Sequence, residues 1–140
     1  MKKNSSHSVM FHHFHSNKFI KSQGSISKDE FENLLNYLKD KFNLIGANEY
    51  IYKINKDKLR SNDICVSFDD SLLCQYEVAF PVLKSLNLDA FFFIYTASFE
   101  KQIGLEVFRY FRHNCFKSID EFYKYFFDTV NQEYELEYHI

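Results

Sequence analysis

Two adjacent carboxylates, Asp69 and Asp70, are the side chains of this sequence best placed to do chemistry. They follow Ile64–Phe68, a near-continuous apolar run typical of a strand buried on both faces. In α/β folds, ligands bind at the sheet edge where such strands end. Because like charges held close together push their titrations apart, one carboxylate can hold a metal ion while the other acts as a base. A second interpretation stays open: one aspartate caps a helix starting near Leu72 and the other is solvated.

Three histidines form a second candidate site, and they lie in a strand-to-loop stretch near the start of the chain. Alternate residues of an extended segment share a face, so His13 and His15 are spaced for chelation. With Asp70 they would make a small metal-binding module. The alternative is that His12, His13 and His15 contact the main chain or solvent and have no ligand.

Composition and charge exclude several classes of function. With 17 basic and 19 acidic residues the net charge is −2, so no attraction to nucleic acid or to an anionic membrane is expected. The longest uncharged apolar segment, Ala90–Phe99, is about half the length of a membrane-spanning helix. The three cysteines form no CxxC pair. This pattern predicts reduced, buried thiols in a cytoplasmic protein.

The length of 140 residues allows one domain, and its patterns predict strands alternating with helices. Ser27 and Glu30 form a capping box that opens the first helix. Pro81 predicts a kink or a restart in the second helix, because proline removes a backbone donor. The predicted elements are helices over Ser27–Lys41, Leu72–Leu86 and Ile119–Val130, with neighbouring parallel strands at Ile64–Phe68 and Ala90–Tyr95.

Aromatic rings must supply much of the core. The sequence contains 17 Phe and 10 Tyr but no Trp, and rings carry large apolar surfaces. Phe91–Phe93, in the later strand, is expected to lie in the core. In the second helix, helical spacing places Tyr76 and Phe80 on the buried face.

Four segments together resemble the polysaccharide deacetylase family, the NodB-type carbohydrate esterases. Phe68–Asp70 is similar to the family's TFDDG motif, and Tyr76–Lys84 is similar to its AxPxLKxxG helix. Ala90–Ile94 resembles the family's ATFF strand, and Met10–His13 its opening MYH strand. The resemblance extends from Met10 to Ile94.

This resemblance implies metal-assisted hydrolysis of an acetyl group on a sugar, with an acetylated carbohydrate as the partner. It implies that Asp69 is the general base and that Asp70 binds the metal. Zinc is the expected divalent ion, with cobalt as an alternative. His12 matches the histidine of the MYH strand, so His12 and His13 are expected to bind substrate.

Two departures from the family pattern shape the expected fold and function. The family's HSxxHP-like motif is missing, since only His113 and His139 follow Asp70, and Ser71 stands where the family has Gly. We therefore expect an α/β fold that is a partial or truncated (β/α) deacetylase-type barrel with parallel strands. The single deacetylase-like domain would span residues 1–140 and be incomplete at its C-terminus. The alternative is a non-catalytic carbohydrate-binding or vestigial domain.

Overall fold

The protein is described by a computed structural model that covers residues 7–100 and 104–133. The chain divides into two compact units, the first ending at Tyr95 and the second beginning at Thr96. The elements of the first unit are β1 (His7–Phe11), α1 (Lys28–Lys41), β2 (Asn43–Leu44), α2 (Ala47–Asn55), β3 (Asp63–Phe68), a π-helical turn (Gln75–Ala79), α3 (Phe80–Ser85) and β4 (Phe91–Phe92).

Strand β3 is the centre of a parallel four-stranded sheet. β1 pairs along it in a register that sets Phe11 opposite Phe68. β2 pairs with the beginning of β3 and β4 with its end. Because β1 occupies one edge of β3, the two short strands share the other edge. All six residues of β3 are buried, and the predicted parallel pairing of this strand with the 90–95 segment is confirmed.

Helix α1 begins where the capping box predicts. The Glu30 main-chain N–H donates to the Ser27 hydroxyl at 3.2 Å, and the Ser27 N–H donates to the Glu30 carboxylate at 2.6 Å. Backbone and side-chain hydrogen bonds from Ser27 lower the pKa of Glu30. The helix buries one face, formed by Phe31, Leu35 and Leu38. The prediction of a helix over Ser27–Lys41 is confirmed, with Ser27 as its cap.

Phenylalanine rings pack edge to face in the core of the first unit. Phe31 is fully buried and lies nearly perpendicular to three rings, with centroids 5.0 Å from Phe11, 5.1 Å from Phe14 and 6.0 Å from Phe68. Such T-shaped pairs are each worth about 0.5–1.5 kcal/mol beyond the burial of their area. The aromatic part of the core thus combines rings from α1, from β3 and from β1 with the segment that follows it, as the composition predicts.

The second predicted helix changes its winding near the proline. The π-helical turn passes into α3 at Phe80, one residue before Pro81. A π turn contains one extra residue, which shifts the helical spacing on which the predicted buried face depends. For this reason the predicted face is partly wrong: Tyr76 and Phe80 are exposed, whereas Val78 is buried.

The expectation that Phe91–Phe93 lies in the core is also wrong. Phe91 is half-buried, and Phe92 and Phe93 are exposed. One face of Phe92 stacks on Phe68, with centroids 4.6 Å apart. Because β4 pairs with β3 along one edge only, its other edge and most of these rings have no cover within the described part of the first unit.

The beginning of β3 is closed by a buried carboxylate. Asp63 is fully buried and accepts hydrogen bonds from the Asn43 side-chain amide at 2.5 Å and the Arg60 main-chain N–H at 2.9 Å. The Lys53 ammonium lies 3.4 Å from it. Burial opposes ionisation of Asp63, but these partners outweigh burial and hold the pKa of its carboxyl below the usual range.

The second unit contains two amphipathic helices that bury little. Its elements are a 3-10 helix (Thr96–Phe99), α4 (Gly104–Cys115) and α5 (Ile119–Glu133), so the predicted helix over Ile119–Val130 is confirmed. Phe122 of α5 is buried, with its ring edge-on to Phe108 and Phe116. Phe111, Phe126 and Phe127 are exposed. No described helix is both long and apolar enough to cross a membrane.

The cysteine prediction is confirmed at two of three positions. Cys65 and Cys74 are buried free thiols, but Cys115, at the end of α4, is exposed. Burial of Cys65 raises the pKa of its thiol, which keeps this side chain in the unreactive thiol form.

Candidate active site at the carboxyl end of β3

The pairing of β1 with β3 brings the predicted site residues together. Phe11 lies opposite Phe68 at the end of both strands, so the next residues, His12 and Asp69, leave the sheet side by side. The Asp69 main-chain N–H donates to the Phe11 carbonyl at 3.3 Å, which extends the pairing one step beyond β3. The site is therefore a consequence of strand register, which the core residues of β1 and β3 fix.

The His12 imidazole lies equally close to both carboxylates. Its Nε2 atom is 3.9 Å from an oxygen of Asp69 and 3.9 Å from an oxygen of Asp70. The side chains of His12, Asp69 and Asp70 are 34%, 41% and 28% exposed, so water and a soluble ligand can reach all three. The two carboxylates thus face one shared, open space.

The backbone is strained at the turn that carries the second carboxylate. Asp70 and Ser71 have φ angles of 71° and 56°, in the left-handed region. Aspartate tolerates this conformation, whereas it costs a residue such as Ser71 about 1–2 kcal/mol. Ser71 therefore adopts the conformation that a glycine at this position would take without strain. Its hydroxyl also accepts a hydrogen bond from the Tyr95 N–H at 3.1 Å, which connects the segment after β4 to the site.

The capping interpretation of the two aspartates receives no support. The Leu72 N–H, at the start of the following helix, donates to Oε1 of Gln75 at 3.3 Å. Among the residues described, neither carboxylate accepts a hydrogen bond from the first turn of that helix. Both carboxylates are thus left available to a ligand.

The remaining histidines differ in their surroundings. The His13 ring lies parallel to that of His12, with centroids 6.4 Å apart. His15 turns toward α1, where its Nδ1 is 3.1 Å from the Ser25 hydroxyl and its Nε2 is 3.9 Å from the Glu30 carboxylate. The structure therefore brings His12 and His13 to the site and leaves His15 outside it.

The chain is similar to known deacetylases in both sequence and fold. No protein-family model matches the chain. It is 32% identical over 114 residues to the poly-beta-1,6-N-acetyl-D-glucosamine N-deacetylase of several Staphylococcus aureus strains. The fold is similar to that of IcaB from Ammonifex degensii, with a TM-score of 0.53 and 28% identity over 64% of this chain. The resemblance to the polysaccharide deacetylases is confirmed.

The deacetylase-like chain is much shorter than these relatives. The matches span 37% of the staphylococcal deacetylase and 37% of IcaB from Ammonifex degensii. The mixed α/β fold with parallel strands is confirmed as similar to a deacetylase fold, whereas the sheet formed by the described strands is open. The chain therefore matches only part of each relative, and the activity of the complete relatives is only proposed for it.

The deacetylase resemblance implies a metal ion, and the described residues supply an incomplete ligand set for one. Asp70, Asp69 and His12 are suitable donors in kind, because carboxylate and imidazole both bind divalent metals. However, no group of three or more His, Cys, Asp and Glu side chains within residues 7–100 and 104–133 is arranged to hold a metal ion. The predicted metal-binding module of His13, His15 and Asp70 is therefore not formed by these described residues either.

Gln75 is a site residue that the sequence analysis missed. It is 2% exposed, and its side-chain amide donates to the His12 carbonyl at 2.9 Å and to the Asp69 carbonyl. Its one signal in the sequence is a polar side chain within an apolar helix. Its partners could not be foreseen, because His12 is 63 positions away.

Proposed function

We propose that this chain supplies the carboxylate part of the active site of a carbohydrate N-deacetylase that acts on polymers of N-acetylglucosamine. The observation that carries the proposal is the pair Asp69 and Asp70 at the end of β3, both facing His12 at 3.9 Å. The similarity to an N-deacetylase of poly-beta-1,6-N-acetyl-D-glucosamine supports the choice of substrate. Because these three side chains are partly exposed, a sugar unit within a long polymer could reach them.

Asp69 is the proposed general base. It would take a proton from water as the water oxygen bonds to the acetyl carbon. Transfer of that proton to the sugar nitrogen as the C–N bond breaks would then yield acetate and a free amino sugar. His12 and His13 present their rings beside this position and would contact the sugar. Asp70, held by the strained turn, would not need to move when substrate binds.

A divalent metal, with zinc first and cobalt as the alternative, completes the proposal. When bound, it would polarise the acetyl carbonyl and lower the pKa of its water. Asp70 would contribute one hard, anionic ligand. The other ligands would have to come from outside the described residues, because those residues hold no complete set.

The experiment that tests this proposal uses a chimera in which this chain replaces the matching region of the staphylococcal deacetylase. We expect the chimera to release acetate from an N-acetylated β-1,6-glucosamine oligomer when zinc is added. Asp69→Asn should lower kcat by about 10²–10⁴-fold, the usual contribution of a positioned general base, and should change zinc affinity little. Asp70→Ala should abolish tight zinc binding, because it removes an anionic ligand.

The matched control is Asp57→Asn, which neutralises an exposed aspartate in the loop after α2 and should leave kcat unchanged. Acetate release that survives Asp69→Asn at the level of the Asp57→Asn chimera would overturn the assignment of the base. A folded chimera that binds zinc but releases no acetate would overturn the proposed activity.

A second candidate function is carbohydrate binding without turnover. The incomplete ligand set among the described residues favours it for the isolated chain. In that case the purified chain would bind the same oligomer in an NMR titration, with shifts at His12 and Asp69, and would release no acetate with zinc or cobalt. Acetate release by the isolated chain that is lost in Asp69→Asn would exclude this alternative.

A further inference from the structure

Gln75 connects the two segments that carry the site. Its Nε2 amide group donates to the main-chain carbonyls of His12, which follows β1, and of Asp69, which follows β3. Its Oε1 atom accepts from the Leu72 N–H at 3.3 Å. One buried side chain thus uses both amide hydrogens and its oxygen, and all three partners are main-chain atoms at the carboxyl edge of the sheet.

The position of Gln75 suits a fixed rather than an adaptable contact. It is the first residue of the π-helical turn Gln75–Ala79, and π turns within helices are common at functional sites. With 2% of its surface exposed, Gln75 has no water to replace a lost partner. Breaking these hydrogen bonds would leave two part-buried carbonyls without this donor and loosen the connection between the segments.

We propose that Gln75 is a positioning residue, which sets the distance between His12 and the carboxylates of Asp69 and Asp70. This inference rests on the proposed function, because the distance between these side chains matters only if they contact the same ligand. The hydrogen bonds are to the main chain, so they place the Cα atoms of His12 and Asp69 and leave the side chains free to contact the ligand. Residues that orient metal and substrate groups in this way typically change affinity by about 10–100-fold when they are removed.

The test compares Gln75→Met with the wild-type chain. Methionine has a similar length and volume but cannot donate to the two carbonyls. Zinc is titrated into the labelled chain, and binding is followed by NMR at His12 and Asp70. We expect the dissociation constant for zinc to rise about tenfold or more in Gln75→Met. Gln75→Leu provides a second apolar variant should the methionine variant fail to fold.

Asp63→Asn is the matched control, since it weakens a buried hydrogen-bond network at the opposite end of β3. It should lower stability and leave the zinc dissociation constant unchanged. A folded Gln75 variant with wild-type zinc affinity would overturn the inference. A loss of affinity equal in Asp63→Asn and Gln75→Met would do the same, because it would reflect stability alone.

Failure of the proposed function would be recognised separately. If the wild-type chain shows no response to zinc, the zinc-free spectra decide the role of Gln75, and acetate release by the chimera tests the proposed function separately. Shifts of the Asp69, Asp70 and His12 signals in Gln75→Met that are absent in Asp63→Asn would support positioning. Unchanged signals would overturn it.

Discussion

Aspartates at the two ends of β3 lie in opposite environments. At the beginning of the strand, Asp63 is fully buried and its oxygens are occupied by Asn43, Arg60 and Lys53. At the other end, Asp69 and Asp70 are partly exposed, and His12 stands 3.9 Å from each. A carboxylate whose oxygens are satisfied internally contributes to stability. Carboxylates that are held in place but left unsatisfied remain available for a ligand.

The two ends of β3 also differ in backbone strain. The chain enters β3 at Asp63 through a hydrogen bond from the Asp63 N–H to the Arg60 carbonyl, whereas it leaves through two successive left-handed residues, Asp70 and Ser71. Such strain persists where the surrounding structure holds it, and it is common at functional sites. Substitutions at Asp63 and at the aspartates of the site are therefore expected to differ in their effects on stability.

The largest effect on stability is expected at the closed end. Asp63→Ala removes the acceptor of the Asn43 and Arg60 hydrogen bonds and leaves Lys53 without its buried partner. We expect the free energy of unfolding to fall by about 2–3 kcal/mol, measured by urea denaturation. A loss below about 0.5 kcal/mol, the range of ordinary surface substitutions, would contradict the structural role of this carboxylate.

A smaller effect is expected in the pH dependence of stability. The pKa of Asp63 is lowered in the folded protein, so its contribution is fully present above the unfolded pKa of about 4 and is lost as pH falls through the folded pKa. Wild-type stability should therefore fall more steeply than that of Asp63→Asn below about pH 4, by up to about 1.4 kcal/mol per pH unit. Urea denaturation between pH 5 and pH 2 measures both slopes, and Asp57→Asn should follow the wild type. Parallel curves for Asp63→Asn would contradict the lowered pKa.

The smallest effect is expected at the open end. Asp69→Asn removes a charge that neighbours Asp70. Within the part of the chain that the structure describes, the Asp69 carboxylate accepts no hydrogen bond, so the free energy of unfolding should rise or stay constant within about 0.5 kcal/mol. The same urea experiment measures this change. A loss above about 1 kcal/mol would show that Asp69 stabilises the fold and would remove the contrast between the two ends.

Local patterns in the sequence predicted the elements that local interactions determine. Ser27 and Glu30 are three residues apart, and the cap they form depends on no other part of the chain. The apolar run of β3 predicted a strand buried on both faces, with Asp69 and Asp70 directly after its end. The deacetylase resemblance rested on such short segments and is confirmed.

Features that depend on distant neighbours could not be predicted in this way. Phe92 and Phe93 are as apolar as the residues of β3. They are nevertheless exposed, because β4 pairs with β3 along one edge only and its other edge has no cover within the described part of the first unit. The π-helical turn moved Tyr76 and Phe80 out of the buried face, and periodicity alone does not reveal such a turn. Gln75 was missed because its function is defined by the carbonyls of residues on two other segments.

The pairing of β1 with β3 also has a consequence for how the protein folds. Ser8 and Ser67, whose hydroxyls are hydrogen-bonded at 2.8 Å, are 59 positions apart in the chain. Parallel pairing over such a separation requires the closure of a long loop before any contact is gained, which slows folding. During synthesis, the ribosome releases His12 well before Asp69. The site therefore cannot begin to assemble until β3 has emerged, and the edge of β1 that pairs with β3 stays unpaired until then.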